Sequence, residues 1–232
     1  MRYRYNREMS IHLYWGSGSP YSWRVQLALE HKRLPYESHQ LQFSRQEHQS
    51  PPMLALNPRG RLPVLKDGDY VVFESVAVLY YLDLKYPEPR IFGRNPEESG
   101  VIMRVIDEFQ AYIEPSIMTI VEAVLNRHEP DVSDDITDAM HRVAGEARTI
   151  ERRLGMGDWI VGDRYSAADM VIYPDIRLLL RALARPEARE LAARPCFQRV
   201  EAGVGQAAQF GEILQRRAQY RGRLTEERRG RG

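Results

Sequence analysis

A single cysteine, Cys196, is present in 232 residues, so no internal disulfide can form and a reducing compartment is the simplest fit. There is little net charge: 33 basic against 32 acidic residues leave +1, which gives no reason to expect nucleic acid or a membrane surface as the main partner. No run approaches the roughly 18 apolar residues that a membrane-spanning helix needs. The first ten residues, MRYRYNREMS, are basic but lead into no apolar stretch, which argues against a secretory signal. The six histidines (His12, His31, His39, His48, His128 and His141) are scattered. None lies at metal-ligand spacing from a cysteine or a second histidine, so no metal is expected. No internal repeat of solenoid length is visible.

What is present is ordinary for a globular protein. Hydrophobic residues make up 43% and charged residues 28%, and the length suits two domains. The first half alternates strand and helix signals. Ile11–Trp15 reads as a strand, Gly16-Ser17-Gly18-Ser19 as a break, and Pro20 as the first position of a helix that runs to about His31. Tyr36–Leu41 reads as a second, more polar strand, and residues 44–56 as loop and short helix. Leu62–Leu65 and Tyr70–Phe73 flank Asp67-Gly68, a strong hairpin signal. A helix follows from Ser75 to about Tyr86. Four strands with helices on both faces form an α/β layer. Beyond Pro87 the strand signals vanish. Apolar residues then recur at helical spacing, among them Ile102, Val105, Ile106, Phe109 and Ile113, as in a helix bundle with a first helix over about 101–125. Ser166-Ala167-Ala168-Asp169 has the spacing of a capping box, with Asp in the usual Glu place. The expected layout is an α/β domain over 11–87, a linker over 88–97, an all-helical domain over 98–215, and a disordered tail over 216–232, rich in Arg and Gly.

Three places in the first half have chemical potential, each with a plainer alternative. Ser19 precedes a helix start, where the macrodipole favours an anion, and its hydroxyl could donate to one; equally it is a good N-cap. Leu62-Pro63 opens a strand. A trans bond suits a strand start, whereas a cis bond would turn the Leu62 backbone outward to pair with an extended peptide. Glu74-Ser75 sits at a strand-to-helix junction. It is either a solvated acid beside a cap, or a pair in which the helix start and hydroxyl hold a carboxylate and Glu74 holds an ammonium, as the amino-acid end of a γ-glutamyl group requires.

Their order is more specific than any one of them. "SPYSWRVQLALE", "NPRGRLPVLKDGD" and "FESVAVLYYLDLKYP" together resemble the N-terminal domain of cytosolic glutathione S-transferases of the serine type, and "GDRYSAADMVIYP" resembles that family's capping-box segment. The resemblance spans about Ile11 to Arg199. It implies a thioredoxin-like N-terminal domain followed by an all-α bundle, with glutathione as co-substrate, a small hydrophobic electrophile as second substrate, cytoplasmic location and a homodimer. Residue by residue, it implies Ser19 as the catalytic hydroxyl and Leu62 and Pro63 as the backbone partners of the cysteinyl part. It further implies Glu74 and Ser75 as γ-glutamyl contacts, and His48 and Arg61 beside the glycine carboxylate. Tyr14 and Ser17 are rival hydroxyl donors. His48 reads equally as a surface-loop histidine. Trp15 and Trp23 read as core. Phe109, Tyr112 and Ile113 are expected to line the electrophile pocket between the domains. Tyr21 departs from the zeta-like pattern, which has cysteine there. With no cysteine in this domain, a mixed disulfide on the enzyme is excluded. The rival readings are a glutathione-dependent disulfide or peroxide reductase and a non-catalytic binding or assembly module.

Overall fold

The computed structural model describes residues 11–126, 134–154 and 159–184; Cys196, the expected tail and the far end of the expected helical domain lie outside them. Four strands, β1 (Ile11–Gly16), β2 (Tyr36–Leu41), β3 (Val64–Asp67) and β4 (Tyr70–Phe73), form one sheet in the order β2-β1-β3-β4. β1 and β2 are parallel, joined through α1 (Pro20–Lys32), as a crossover requires. β3 is antiparallel to both β1 and β4, and the Asp67-Gly68 hairpin has Gly68 at φ 62°.

The alternation of each strand sorts its side chains between two faces. Ile11, Leu13 and Leu65 point one way and are buried with Val25, Ala28 and Leu29 of α1 and Val78, Leu79 and Leu82 of α3 (Ser75–Lys85), all 0–1% exposed. Each of the buried Val, Leu and Ile side chains contributes about 1.5–3 kcal/mol by burial, and Ala28 less. Asp67, on the same face, accepts from three side chains of the α3 segment: Lys85 Nζ at 2.7 Å, Tyr81 Oη at 3.0 Å and Tyr86 Oη at 2.8 Å. The opposite face holds a smaller cluster of Met53 from α2 (Pro51–Leu56), Leu62 and Val64, with Tyr14, Leu41, Val71 and Phe73 packed against it. Trp15, expected in the core, is instead half-buried, its indole N–H donating to Ser38 Oγ at 2.8 Å on β2.

The linker is fastened by a buried ion pair. Lys32 Nζ reaches Asp83 Oδ1 at 2.8 Å and the carbonyls of Tyr86 and Pro89, while the Asp83 carboxylate accepts from the Ile91 and Phe92 amides. Burial pushes the Lys32 ammonium below its ordinary range and Asp83 pulls it back.

The helical half contains α4 (Pro96–Tyr112), α5 (Glu114–Asn126), α6 (Asp134–Leu154) and α7 (Ala167–Leu183). The single helix expected over 101–125 is two helices. Pro115 has no N–H and its ring collides with the carbonyl four residues back, so the helix breaks at Ile113 and restarts with Pro115 in the first turn. The capping box at α7 is present: Asp169 Oδ2 accepts from the Ser166 amide at 2.8 Å and from its hydroxyl at 2.9 Å. The chain divides into two compact units, and the described residues of the first are 11–103 together with 166–174. Ala167 N donates to Ile91 O at 2.8 Å within it. No helix among the described residues is long and apolar enough to cross a membrane.

Candidate active site

Sheet topology decides which loops meet. Tyr14 of β1 pairs with Val64 of β3, and Val64 pairs with Phe73 of β4. Because β3 runs against both neighbours, the end of β1, the start of β3 and the end of β4 leave the sheet at one edge. The segments that leave there are Gly16–Ser19, Arg61–Pro63 and Glu74–Ser75. The three sequence signals, 56 positions apart at their extremes (Ser19 to Ser75), therefore share one end of one sheet.

At the end of β1 the chain turns sharply. Ser19 N donates to Gly16 O at 3.2 Å and Gly18 has φ 84°, the combination of a type II turn, whose third residue favours glycine. Ser17 lies exposed at the tip of this turn. Ser19 then caps α1: its backbone is extended (φ −81°, ψ 117°) and its Oγ accepts from Ser22 N at 3.2 Å. A capping hydroxyl uses its oxygen as acceptor and leaves its own proton to donate. The two readings of Ser19 are thus compatible. Ser22 adds a second tie, its Oγ accepting from Gly16 N at 3.3 Å.

At the start of β3, Leu62-Pro63 is cis, the second of the two alternatives open from sequence. The preceding turn is built by buried Asn57. Its Oδ1 accepts from Arg59 N at 3.1 Å, its Nδ2 donates to Arg61 O at 2.9 Å, and its carbonyl accepts from Gly60 N at 2.9 Å. Arg61 itself is exposed. Gln49 Nε2 donates to Gly60 O at 3.0 Å, which ties the turn holding His48 to this one. His48 meets Phe43 edge-on at 5.1 Å, and its Nδ1 is buried without a hydrogen-bond partner among the described residues. Such an orphan calls for a partner from outside the chain.

At the end of β4, Glu74 has φ 67° and ψ 112°, a conformation that costs a non-glycine residue about 1–3 kcal/mol. It is exposed, and its carbonyl starts α3 by accepting from Val78 N at 2.9 Å. Ser75 is buried at the first position of α3. Its Oγ accepts from Arg24 Nη1 at 3.3 Å, and Arg24 is 0% exposed with its guanidinium 4.7 Å from the Tyr21 ring centroid. Sequence reasoning missed Arg24, which ties the start of α3 to α1. The signal available was a charged residue on the helix face that carries Val25 and Leu29.

The remaining predicted residues fall elsewhere. Tyr14 packs on the α2 face of the sheet, stacked on His39 at 4.7 Å. Phe109 and Ile113 are buried at 1% and 6% exposure, whereas Tyr112 is 64% exposed. Trp23 meets Tyr173 edge-on at 5.2 Å.

A four-stranded mixed sheet with this order, followed by helices only, defines the thioredoxin-like class of two-part proteins with an all-helical second half. Comparison with known proteins narrows the class. A family model described as the glutathione S-transferase N-terminal domain matches residues 13–90. The chain is similar to glutathione S-transferase 1 of Dianthus caryophyllus, 31% identical over 72% of this chain and 76% of that protein. It is also similar to maleylacetoacetate isomerase of Pseudomonas aeruginosa, 30% identical over 82% of this chain and 94% of that protein. Among solved structures, a glutathione S-transferase from the Antarctic clam Laternula elliptica superposes with a TM-score of 0.68 at 28% identity, covering 82% of this chain and 91% of that one. The chain belongs to the glutathione S-transferase family, and it is an enzyme of that family.

Proposed function

We propose that the chain binds glutathione along the sheet edge where Ser19, Leu62-Pro63 and Glu74-Ser75 emerge, holds its sulfur as thiolate at Ser19, and directs it at a small hydrophobic electrophile. The supporting observation is the geometry of Ser19, whose oxygen is engaged by Ser22 N while its proton remains to donate. A free thiol of pKa near 8.5 is only about 3% ionised at pH 7. Lowering that pKa by about two units takes roughly 2.7 kcal/mol of preferential anion stabilisation. A hydrogen bond to a charged group supplies about 1.5–3 kcal/mol and the α1 dipole about 0.3–1 kcal/mol. Ser19 therefore attacks nothing; the thiolate is the nucleophile and Ser19 keeps it charged.

The rest of the tripeptide suits the remaining groups. Glu74 takes the γ-glutamyl ammonium, and Ser75 with the α3 N-terminus takes its carboxylate. The backbone of Leu62 pairs with the cysteinyl part. The cation of Arg61 and the unpartnered Nδ1 of His48 suit the glycine carboxylate. Of the three proposed substrate-pocket residues only Tyr112 offers appreciable surface to an electrophile. Assembly as a homodimer is part of this reading and is checked by sedimentation.

A second reading is favoured by the length of the match to the Pseudomonas aeruginosa isomerase. A thiolate that adds to an activated double bond and leaves again after rotation returns unchanged and yields an isomer. Conjugation consumes glutathione and isomerisation does not. Turnover of an aryl halide, a disulfide and an activated cis-alkene, each with glutathione consumption recorded, separates transferase, reductase and isomerase. Absence of glutathione binding at millimolar concentration refutes all three.

A further inference from the structure

The parallel pairing of β1 with β2 assembles a cluster that linear spacing conceals. His12 stands beside Glu37 and Tyr14 beside His39, and period-two alternation puts all four on the α2 face of the sheet. His12 Nδ1 lies 3.0 Å from His39 Nε2 and 3.3 Å from Glu37 Oε2, and His39 Nε2 lies 3.5 Å from Glu37 Oε1. The two imidazole nitrogens face each other, ring centroids 5.3 Å apart, with the carboxylate beside both, and the potential ligand atoms of all three residues lie within 4.8 Å of one another. Their side chains are 27%, 29% and 59% exposed for His12, His39 and Glu37, so solvent reaches them.

We propose that His12, Glu37 and His39 form a binding site for a divalent transition-metal ion of the zinc type, separate from the glutathione site. Donors about 2.0–2.1 Å from a tetrahedral zinc ion lie roughly 3.3–3.4 Å from one another. The histidine nitrogens are 3.0 Å apart and lie 3.3 and 3.5 Å from the two different oxygens of Glu37, so small side-chain rotations bring one oxygen and both nitrogens to that spacing. The donor set suits zinc, nickel or copper rather than magnesium or calcium, which prefer oxygen alone. Three protein ligands leave a position for water on the solvent side, the pattern of an open site. In the metal-free arrangement one of the facing ring nitrogens carries the proton that bonds it to the other. Ion entry requires that proton to move, by exchange with solvent, to the other nitrogen of its own ring, so that both imidazoles stay neutral and each offers a lone pair. Tyr14, stacked on His39 at an interplanar angle of 15°, fixes the orientation of that ring from behind. Lys66 stands opposite His12 on β3, and the Glu37 carboxylate supplies a compensating negative charge. The cluster begins four residues before Gly16, about 13 Å along the strand from the turn that leads to Ser19.

The test uses the full chain, treated with a chelator and dialysed, without glutathione, since a thiol would itself bind the probe. Calorimetric titration with zinc alone is expected to give one site per chain. Cobalt substitution is expected to give the visible absorption of a low-symmetry site. His12→Ala, His39→Ala and Glu37→Gln are each expected to weaken binding at least about tenfold, and the exposed His141→Ala is expected to leave it unchanged. Glu37 is exposed, so its variant keeps the fold, as circular dichroism will register. The proposal is overturned if the wild-type chain binds no stoichiometric zinc, or if the three cluster variants bind it as the wild type does. Neither result touches glutathione binding, measured separately.

Discussion

Ser19 has two roles that substitution can separate. As N-cap of α1 it satisfies Ser22 N at 3.2 Å; as donor it is proposed to hold a thiolate. Ser19→Ala removes both. Ser19→Gly removes the donor but costs the cap only a few tenths of a kcal/mol, because glycine is a tolerable N-cap. The Ala variant should therefore lose about 1 kcal/mol of stability, a fall of about 2–4 °C in Tm for a chain of this length. The Gly variant should stay near the wild type. Both should raise the pKa of the bound thiol by about 1–2 units, from about 1.5–3 kcal/mol of lost hydrogen bonding to a charged acceptor. If the wild-type thiol titrates near 6.5 and the variant's near 8, the thiolate fraction at pH 7 falls from about 76% to about 9%, roughly an eightfold loss of rate. The loss should shrink towards none as pH rises above the variant's pKa. The assay is the ultraviolet absorbance of bound thiolate against pH, with thermal denaturation in parallel. A Gly variant with the wild-type thiol pKa would refute Ser19 as donor and move the role to Tyr14 or Ser17.

Glu74→Ala should weaken glutathione about 10–100-fold, the equivalent of about 1.5–3 kcal/mol, with kcat at saturation little changed; calorimetry and steady-state kinetics check this. Breaking the buried ion pair by Lys32→Ala leaves Asp83 uncompensated and should cost about 3–5 kcal/mol in urea denaturation; a loss below 1 kcal/mol would mean that water reaches the site. For Asp67, burial raises the carboxyl pKa, but hydrogen bonds from Lys85, Tyr86 and Tyr81 more than offset it and leave it below the usual range. A depressed carboxylate stabilises the fold above its unfolded pKa of about 3.9, and that stability is lost as pH falls through the folded value. Stability should thus decline in acid below about pH 4, and Asp67→Asn should flatten that limb.

Local chemistry was legible in the sequence wherever one element carried it. Pro20 announced a helix start, Asp67-Gly68 a hairpin, and Ser166 with Asp169 a capping box, because each depends on residues at most three apart. Pairings across elements were not. Arg24 meets Ser75, and Lys32 meets Asp83, each across 51 positions; a charge on the apolar face of α1 hints at burial, but nothing in either neighbourhood points to the distant partner. His12 and His39 looked scattered because strand register, not spacing, unites them. The helix break at Ile113 was hidden for another reason: the apolar period runs through Pro115 without changing phase. The sheet edge shared by Ser19, Leu62 and Glu74 needed the topology, although the order of the motifs already pointed to it.

The membership of residues 166–174 in the first unit bears on how that unit can be handled. The Ile91 carbonyl takes its hydrogen bond from Ala167, and Trp23 leans on Tyr173. Met170, Val171 and Ile172 lie buried in the same stretch. A fragment excised after Pro87, where the sequence suggests a clean cut, would surrender these later residues as well as the linker clasped by Lys32 and Asp83. Autonomy of the sheet-bearing half is thus lent to it by a helix encoded some eighty positions downstream, and a shortened gene for that half would need this helix supplied in trans or grafted back.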